Sequence, residues 1–419
     1  MLLKRFFAAA LWLMLIGSSS IFSEAPVTIS LCAAGDVIMH LPVTDSGLDR
    51  KSGAYDFRPV FAEIKPLLSE ADFSVCVLET PLAVATGGGS QKYTGYPRFN
   101  SPAAIADALV WAGIDLAFSA HNHALDQGVT GLLTTLRYYD QIGLLHTGSL
   151  CTPDQKRYRM VEVKGVKLAF FSYTESTNGI SPPPESKWVI NVLDFQKIAA
   201  DIREAKEKGA DCIIMALHAG TEYQREPSPE QRRIAGKLIE SGVDIILGSH
   251  VHVIQPVELR EYIDPVSGKA RNCFIAYSLG NLLSNQRWRY SDCGLMVNLK
   301  LMKTPDEPGI RIVEITRFPL WVNCYIEKNR RHYRIKPVTG LEEPGPDPNL
   351  NEKARQRMRE VWVETEALLN NWGNKSGFLK KSSPLPARDK RKDENIRRDL
   401  PDGIRLRKHA FSLLKDKGI

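Results

Sequence analysis

Short apolar runs alternate with amphipathic segments along most of the chain. Seven runs of five to eight residues have the length and composition of buried strands: 27–34, 73–78, 114–119, 166–173, 212–217, 243–247 and 273–277. Five longer stretches have helical periodicity: 59–71, 102–112, 129–141, 194–208 and 229–241. Strands that alternate with helices predict an α/β fold in which helices cover the faces of a sheet. Residues 294–302 and 310–318 have no helix between them and predict two added antiparallel strands.

The first 25 residues have the features of an export signal. Lys4 and Arg5 precede an uninterrupted apolar run of 11 residues, 6–16, and Ser23 and Ala25 are small residues where a signal peptidase reads them. This run is shorter than the roughly 20 residues that span a bilayer. A cleaved signal peptide is therefore favoured over a retained N-terminal anchor. We expect the mature protein to be exported, either periplasmic or associated with the cell envelope.

Composition and charge narrow the classes of function. The chain has 419 residues, 43% of them hydrophobic, which is enough to build a core and excludes a wholly disordered protein. The net charge of +7 is concentrated in residues 375–417, where fourteen Lys/Arg stand against six Asp/Glu, so the rest of the chain sums to about −1. The seven cysteines cannot all pair and form no C-x-x-C motif, so we predict no chemical role for them.

We therefore predict three parts: a signal peptide over 1–25, a main domain over 26–325 and a C-terminal extension over 326–419. The extension contains a linker-like run at 340–348, an amphipathic helix at 351–370 and a basic flexible tail with a short helix at 404–414. The tail is either a solvated charge run or a contact to an anionic membrane surface or polymer. Nucleic acid is not expected, because the protein is predicted to be exported and its basic residues do not alternate with stacking aromatics.

Polar residues follow the C-terminal ends of five predicted strands. They are Asp36 and His40 after the first strand, Glu79 after the second, His121, Asn122, His123 and Asp126 after the third, His218 and Glu222 after the fifth, and His250 and His252 after the sixth. The ligand crevice of an open α/β sheet lies outside the carboxyl ends of its strands. We therefore expect these side chains to share one rim of the fold.

Each of these motifs has a plainer explanation when it stands alone. A Gly-Asp pair after a strand is commonly a turn or a helix cap, and His218 by itself would be a core histidine. These explanations would have to hold at five equivalent positions, which favours a shared site. Imidazole, carboxylate and amide donors together suit Mn, Zn or Fe, and a bridging carboxylate suits two metals about 3.5–4 Å apart. The sequence therefore predicts a site for two divalent metal ions.

Six motifs in order along residues 27–322 resemble the CapA family of capsule or poly-γ-glutamate biosynthesis proteins, which is related to the calcineurin-like metallophosphoesterases. They are GDVIMH at 35–40, LETP at 78–81, AHNH at 120–123 with Asp126 and Gly128, HAGTEY at 218–223, GSHVHV at 248–253 and YSLGN at 277–281. The resemblance implies a layered α-β-β-α sandwich of the metallophosphoesterase type for residues 26–325.

The resemblance also implies a role for each polar residue at the strand ends. One metal would be held by three side chains: Asp36, His40 and His252. The other metal would be held by three more: Asn122, His218 and His250. Glu79 would bridge the two metals, and His123 would be the general acid at the leaving group, oriented by Asp126. Glu222 would support a ligating histidine, and Asn281 would line the same rim.

The chain departs from the family pattern at several positions. The first motif lacks the Asp-x-His spacing of the wider superfamily, so ligation by His40 depends on its reach around a loop. Glu79 stands where a bridging Asp is usual and is one methylene longer. His121 stands where the family has Asn, and it either adds a ligand or packs. Ala219 and Val251 replace a common Trp and a common Pro, which puts the substrate in doubt more than the ligands.

Two classes of function follow. The first is an enzyme: a metal-dependent hydrolase or transferase that acts on a phosphate ester or a γ-glutamyl-type bond in the metabolism of an anionic envelope polymer. The second is a non-catalytic, polymer-binding component of a capsule synthesis or export assembly, which would have capsule-synthesis partners. A phosphatase unrelated to capsule differs from the first only in its substrate. The intact set of seven metal donors favours the enzyme.

Overall fold

The structure is a computed structural model that describes residues 25–82, 92–338, 350–373 and 379–380. Its strands are β1 (Val27–Val37), β2 (Phe73–Leu78), β3 (Leu116–Phe118), β4 (Leu145–Thr147), β5 (Tyr158–Val163), β6 (Val166–Thr174), β7 (Cys212–His218), β8 (Ile245–Ser249), β9 (Val257–Ile263), β10 (Ala270–Ala276), β11 (Asn281–Leu283), β12 (Cys293–Lys303), β13 (Arg311–Glu327), β14 (Arg330–Pro337) and β15 (Leu379–Lys380). Its helices are α1 (Leu41–Ser46), α2 (Arg58–Phe61), α3 (Lys65–Glu70), α4 (Ala104–Ala112), α5 (Gly128–Ile142), α6 (Phe195–Glu207), α7 (Pro229–Glu240) and α8 (Glu352–Gly373), with a 3-10 helix at Pro184–Val189.

The strands form two mixed sheets. The first has nine strands in the order β14-β13-β12-β1-β2-β3-β4, with β11 paired to β1 and β15 paired to β13. In this sheet β1 to β4 run parallel, and β12, β13 and β14 join them as antiparallel neighbours. The second sheet has six strands in the order β5-β6-β7-β8-β10-β9, of which β6, β7, β8 and β10 run parallel.

Alternation of side chains along the strands builds the layers, because successive residues point to opposite faces. In β1, Leu31 packs in the core between the two sheets, while Cys32 packs against the helices that cover the first sheet. In β7, Ile214 packs in the same central core, while Met215 packs against α6 and α7 on the outer face of the second sheet. The order is helix, sheet, sheet, helix, which confirms the predicted α-β-β-α sandwich.

Most predicted elements match the observed ones. Strand β2 has its predicted bounds, and the two added strands are β12 and β13, which pair antiparallel as predicted. The predicted helix at 59–71 is wrong, because the chain forms two short helices, α2 and α3. Pro66 in the first turn of α3 has no amide hydrogen to donate to the carbonyl four residues earlier, so one unbroken helix does not run from α2 into α3. Short or half-exposed strands such as β4 and β5 escaped prediction.

The C-terminal part contributes to the sandwich. Helix α8, predicted at 351–370, buries Val361 and Leu369 in the core between the sheets. The predicted boundary at 325/326 falls within β13, and β14 belongs to the first sheet. The division into domains stays a prediction. The signal peptide (apart from Ala25), the linker-like run and nearly all of the basic tail lie outside the described residues.

Two further features bear on location and redox chemistry. Within the described ranges, no helix combines the length and apolarity that a bilayer crossing requires. All seven cysteines are described, and all are free thiols. Cys273 and Cys293 pack in different cores, on the outer face of the second sheet and between the sheets respectively.

Candidate metal centre

Glycines let the strand ends approach one another closely. A Cβ atom on Gly35 would lie 1.9 Å from the carbonyl oxygen of Gly280. A Cβ atom on Gly248 would lie 1.9 Å from the carbonyl oxygen of Tyr277. No side chain fits at either position, so the Gly-Asp and Gly-Ser-His motifs begin with the residue type that this packing requires.

The strand ends bring together two sets of metal-ligating atoms. In the first set, Glu79, His218 and His250 each offer an atom within 4.8 Å of the others. In the second set, Asp36, Glu79 and His252 do the same. Glu79 belongs to both sets: its Oε1 lies 3.5 Å from His218 Nε2 and its Oε2 lies 3.9 Å from His252 Nδ1. The five side chains come from both sheets.

His218 is held on both sides of its ring. Its Nδ1 lies 2.8 Å from Ser249 Oγ, and its Nε2 lies 3.0 Å from Asn122 Oδ1. A polar partner on the remote ring nitrogen fixes the orientation of a ligating histidine and leaves the other nitrogen facing the site. Asn122, the amide predicted as a ligand, therefore lies at the edge of the first donor set.

The backbone after β8 is strained where it presents its histidines. His250 has a φ of 88° and His252 a φ of 61°, in the left-handed region that residues with a Cβ rarely adopt. The backbone amide of His250 donates a hydrogen bond to Asp36 Oδ2 at 3.1 Å, which ties the second sheet to the first. Such strain persists where surrounding contacts determine the conformation, and it clusters at functional sites.

Burial and neighbouring charges shift the pKa values of Glu79 and His252 in opposite directions. Burial raises the pKa of Glu79, although the neighbouring histidines lower it. Burial holds the pKa of His218 well below its usual range, which keeps the imidazole neutral and able to bind a metal. Burial would also lower the pKa of His252, but the Glu79 and Asp36 carboxylates raise it to about 9.

The unpartnered atoms of the centre fit a divalent cation. Glu79 and Asp36 are fully buried, and three of their four carboxylate oxygens lack a hydrogen-bond partner. The Nδ1 atoms of His250 and His252 also lack one. A buried carboxylate without a hydrogen bond is costly, and coordination to a metal removes that cost. Oxygen and imidazole nitrogen donors are those that Zn, Mn and Fe accept.

His123 stands beside the two donor sets with its orientation fixed. Its Nδ1 lies 2.8 Å from Asp126 Oδ2, which also accepts the backbone N–H of Phe99 at 2.7 Å. The Phe99 ring meets the His123 ring edge-on, with centroids 4.6 Å apart. The proximity of His123 and Asp126, implied by the resemblance, is present in the structure. Their catalytic roles stay a prediction.

Four other predicted residues lie around the centre but outside the two donor sets. His40 packs edge-on against Phe99, and burial lowers its pKa to about 4. His121 is buried with its ring centroid 6.0 Å from that of His218. Glu222 is exposed, and its charge acts on Glu79 and both histidines that follow β8. Asn281 pairs with Asp36 in the sheet, but its side chain bonds the loop that follows β11.

Three residues at the centre were missed by the sequence reasoning. Asn178, in the loop after β6, accepts a hydrogen bond from Asn122 Nδ2 at 3.3 Å, and its own Nδ2 lies 3.5 Å from His123 Nδ1. Ser249 supports His218, and Tyr223 lies beside His252 with ring centroids 5.9 Å apart. Ser249 and Tyr223 stood inside quoted motifs and could have been singled out there. Asn178 stands in no such motif.

Comparison with known proteins gives the family. Residues 30–286 match the family model described as Bacterial capsule synthesis protein PGA_cap. The chain is 24% identical over 321 residues to the Capsule biosynthesis protein CapA of Bacillus anthracis, covering 74% of each chain. It is 31% identical over 188 residues to the PGA biosynthesis protein CapA of Bacillus subtilis, covering 44% of this chain and 46% of that one.

Solved structures with a similar fold include two from bacteria. The NAD nucleotidase of Haemophilus influenzae has a TM-score of 0.43 at 15% identity, with 90% of this chain and 60% of that chain covered. A calcineurin-like phosphoesterase, YfkN of Bacillus subtilis, has a TM-score of 0.38 at 14% identity, with 81% of this chain and 98% of that chain covered. The family model matches well over half of the chain and confirms the resemblance drawn from the motifs: the chain belongs to the PGA_cap family of bacterial capsule synthesis proteins.

Proposed function

We propose that this protein is an exported metal-dependent hydrolase or transferase with a dinuclear centre, and that it acts in the synthesis of an anionic envelope polymer. The observation that carries the proposal is the position of Glu79. Its two carboxylate oxygens face different donor sets, Oε1 toward His218 and Oε2 toward His252. A fully buried carboxylate with two oxygens that lack a hydrogen bond, shared by two donor sets, suits a bridge between two cations.

The residues divide between the two metals as follows. His218 and His250 would hold one, with Asn122 at its edge, and Asp36 and His252 would hold the other, with His40 nearby. Two such metals lower the pKa of bound water and neutralise charge that develops on a phosphoryl group. Asp36 and Glu79 supply negative charge without a lysine or arginine among their ion-pair partners in the described residues.

His123 would donate a proton to the leaving group. With Nδ1 bonded to Asp126, its Nε2 is the nitrogen left for the substrate side. Asp126 cannot rotate freely, because the same oxygen accepts the amide of Phe99. A general acid oriented in this way contributes about 10²–10⁴-fold to the rate.

The substrate proposal rests on the family. The relatives carry names from capsule and PGA biosynthesis. We propose a phosphate ester or γ-glutamyl-type bond in capsule or poly-γ-glutamate metabolism, at the cell envelope and alongside other capsule synthesis or export proteins. The basic tail would contact an anionic membrane surface or the polymer itself.

Metal content and turnover test the proposal together. Purified full-length protein reconstituted with Mn, Zn or Fe is expected to bind about two metals per chain and to hydrolyse a generic phosphodiester such as bis-p-nitrophenyl phosphate. His250→Ala should reduce both. His332→Ala is the matched control, because this histidine, on β14, stacks on Tyr325 of β13 and is not in either donor set.

The outcomes separate the two classes of function. Loss of metal and turnover in His250→Ala, with both retained in His332→Ala, supports the enzyme. The protein could instead bind two metals but turn over no phosphodiester, phosphomonoester or γ-glutamyl peptide. That result would favour the second class of function, a polymer-binding component of a synthesis or export assembly. Absence of bound metal after reconstitution would overturn the dinuclear centre.

A further inference from the structure

Two exposed aromatic side chains of the described residues lie beside the metal centre. Eleven large apolar side chains are exposed in this part of the chain, and three of them are aromatic: Tyr96, Tyr223 and Trp288. Tyr223 and Trp288 lie on loops at the carboxyl ends of the strands. Tyr96 lies three residues before Phe99, whose ring contacts both His40 and His123. Exposed apolar surface gathered at one place marks a binding surface.

Tyr223 and Trp288 form a continuous surface that starts at the metal donors. The Tyr223 ring lies 5.9 Å from the His252 ring and 6.2 Å from the Trp288 ring, measured between centroids. Trp288 is 59% exposed, so the outer part of this surface faces solvent. We name Tyr223 and Trp288 the aromatic ledge.

The backbone holds the ledge in a costly conformation. Tyr223 has a φ of 64°, in the left-handed region, and its amide donates to the carbonyl of Val251 at 2.8 Å. That hydrogen bond ties the residue to the segment between the two ligating histidines, His250 and His252. Strain of this kind is found where function requires a particular geometry.

Buried amides fix the side chains of the ledge. Asn281 Nδ2 donates to Gln286 Oε1 at 2.9 Å and to the carbonyl of Ser291 at 2.8 Å. Gln286 Nε2 in turn donates to the Tyr223 hydroxyl at 3.1 Å. Trp288 lies between Gln286 and Ser291 in the chain, so Asn281 holds both ends of the loop that carries it. Asn281 is therefore a positioning residue for the ledge.

We propose that the aromatic ledge binds a ring in the substrate, so that the ester cleaved is a phosphate ester of a ring-bearing alcohol. The ring would stack on the ledge, beside the metal centre. This inference rests on the proposed function and narrows its substrate class. An aromatic surface attracts a ligand that has a flat or apolar ring face, as sugar rings and nucleobases do. For nucleobases, removing an aromatic side chain that stacks on one ring weakens binding by about 5- to 150-fold. An acyclic γ-glutamyl chain offers charged, flexible groups and no such face.

Matched substrates test the ledge. Glucose 1-phosphate and adenosine 5′-monophosphate carry rings, and glycerol 3-phosphate carries a phosphate on an acyclic alcohol. In the metal-loaded full-length protein, Trp288→Ala should raise KM for at least one ring-bearing ester by about tenfold, with kcat nearly unchanged. KM for glycerol 3-phosphate should change less than about twofold. Whichever ring-bearing ester responds identifies the kind of ring.

Two further variants control for structure. Ile263→Ala removes an equally exposed apolar side chain, 61% exposed, whose partner Ala270 is the first residue of β10, so it lies at the opposite end of the second sheet. It should leave KM unchanged for every ester. Tyr223→Phe keeps the ring but removes the hydroxyl bonded to Gln286, and it should raise KM for the same ring-bearing ester by a smaller factor than Trp288→Ala.

Failure of this inference can be separated from failure of the proposed function. Turnover of all three esters with the same response to Trp288→Ala would overturn the ledge and leave the hydrolase intact. If no ester is turned over, calorimetric binding of the same three esters gives the answer: tighter binding of a ring-bearing ester that is lost in Trp288→Ala supports the ledge without catalysis. Equal binding of ring-bearing and acyclic esters would overturn it.

Discussion

The metal centre and the Arg317–Glu366 pair both bury charged side chains, but they balance that charge differently. Arg317 on β13 is 2% exposed, and its Nη2 lies 3.6 Å from Glu366 Oε2 on α8, so each charge meets its opposite. Burial lowers the pKa of Arg317, and the Glu366 carboxylate raises it. At the centre, Asp36 and Glu79 are equally buried and have only histidines as ion-pair partners among the described residues.

This difference separates a structural ion pair from a binding site. A buried charge is stable only when it is paired or coordinates a metal. Arg317 and Glu366 supply both charges from the chain itself and join α8 to the first sheet. The centre gathers two carboxylates whose ion-pair partners among the described residues are histidines only, so further counter-charge is expected to come from bound cations.

The largest effect is expected at the shared carboxylate. Glu79→Gln removes the negative charge that both donor sets use, so we expect bound metal to fall at both sites and hydrolysis to fall by about three orders of magnitude, roughly 4 kcal/mol. Metal analysis and steady-state kinetics measure this. In chelator-treated protein the same change should not lower the free energy of unfolding, because a buried carboxylate without a hydrogen bond is itself unfavourable. Retention of two metals in Glu79→Gln would contradict the bridging role.

The structural pair should respond in the opposite way. Glu366→Gln leaves Arg317 buried without a counter-charge, so we expect the free energy of unfolding to fall by about 3 kcal/mol, measured by urea denaturation. Metal content should stay the same as in the unmodified protein. The double variant Arg317→Met with Glu366→Leu should recover most of the lost stability, because an apolar pair needs no charge balance. An unchanged urea midpoint in Glu366→Gln would show that the pair does not hold α8.

A smaller effect is expected at Ser249, whose hydroxyl orients the predicted ligand His218. Ser249→Ala removes the hydroxyl 2.8 Å from His218 Nδ1, so we expect metal affinity to fall by about 10–100-fold, measured by competition with a chelator. Ser172→Ala is the matched control, since Ser172 is also buried but its hydroxyl has no hydrogen-bond partner in the structure. Equal affinity in both variants would mean that Ser249 does not orient the ligand.

The smallest effect is expected at Asn178, which contacts both the predicted ligand Asn122 and the predicted general acid His123. Asn178→Ala removes the contacts to both Asn122 and His123, so we expect kcat to fall about tenfold, which is less than the 10²–10⁴-fold contribution of a general acid. Metal content should stay constant. Asn272→Ala, at an exposed position on β10, should change neither. A loss of metal in Asn178→Ala would instead make Asn178 part of the metal site.

Much of the fold and the centre could be predicted because the signals are local. Apolar runs and helical periodicity identified the main strands and helices, and the polar motifs at the strand ends contained the five donors of both sets. Asn178 escaped because its partners Asn122 and His123 lie 56 and 55 residues earlier in the chain, and no motif surrounds it. The single helix expected at 59–71 failed because the periodicity continues through residues 62–64, where the helix is broken just before the turn that contains Pro66.

The sequence by itself determined the types of donor, their order along the chain and the family, since glycine, carboxylate and imidazole at strand ends are properties of short segments. The tertiary structure decided which donors lie together. Asp36 and His250 are 214 residues apart and meet only because two separate sheets pack face to face. It also decided that Glu79 faces both sets and that Tyr223 and Trp288 extend from them. Such contacts depend on how strands from two sheets are placed in space, which the spacing of residues along one chain does not specify.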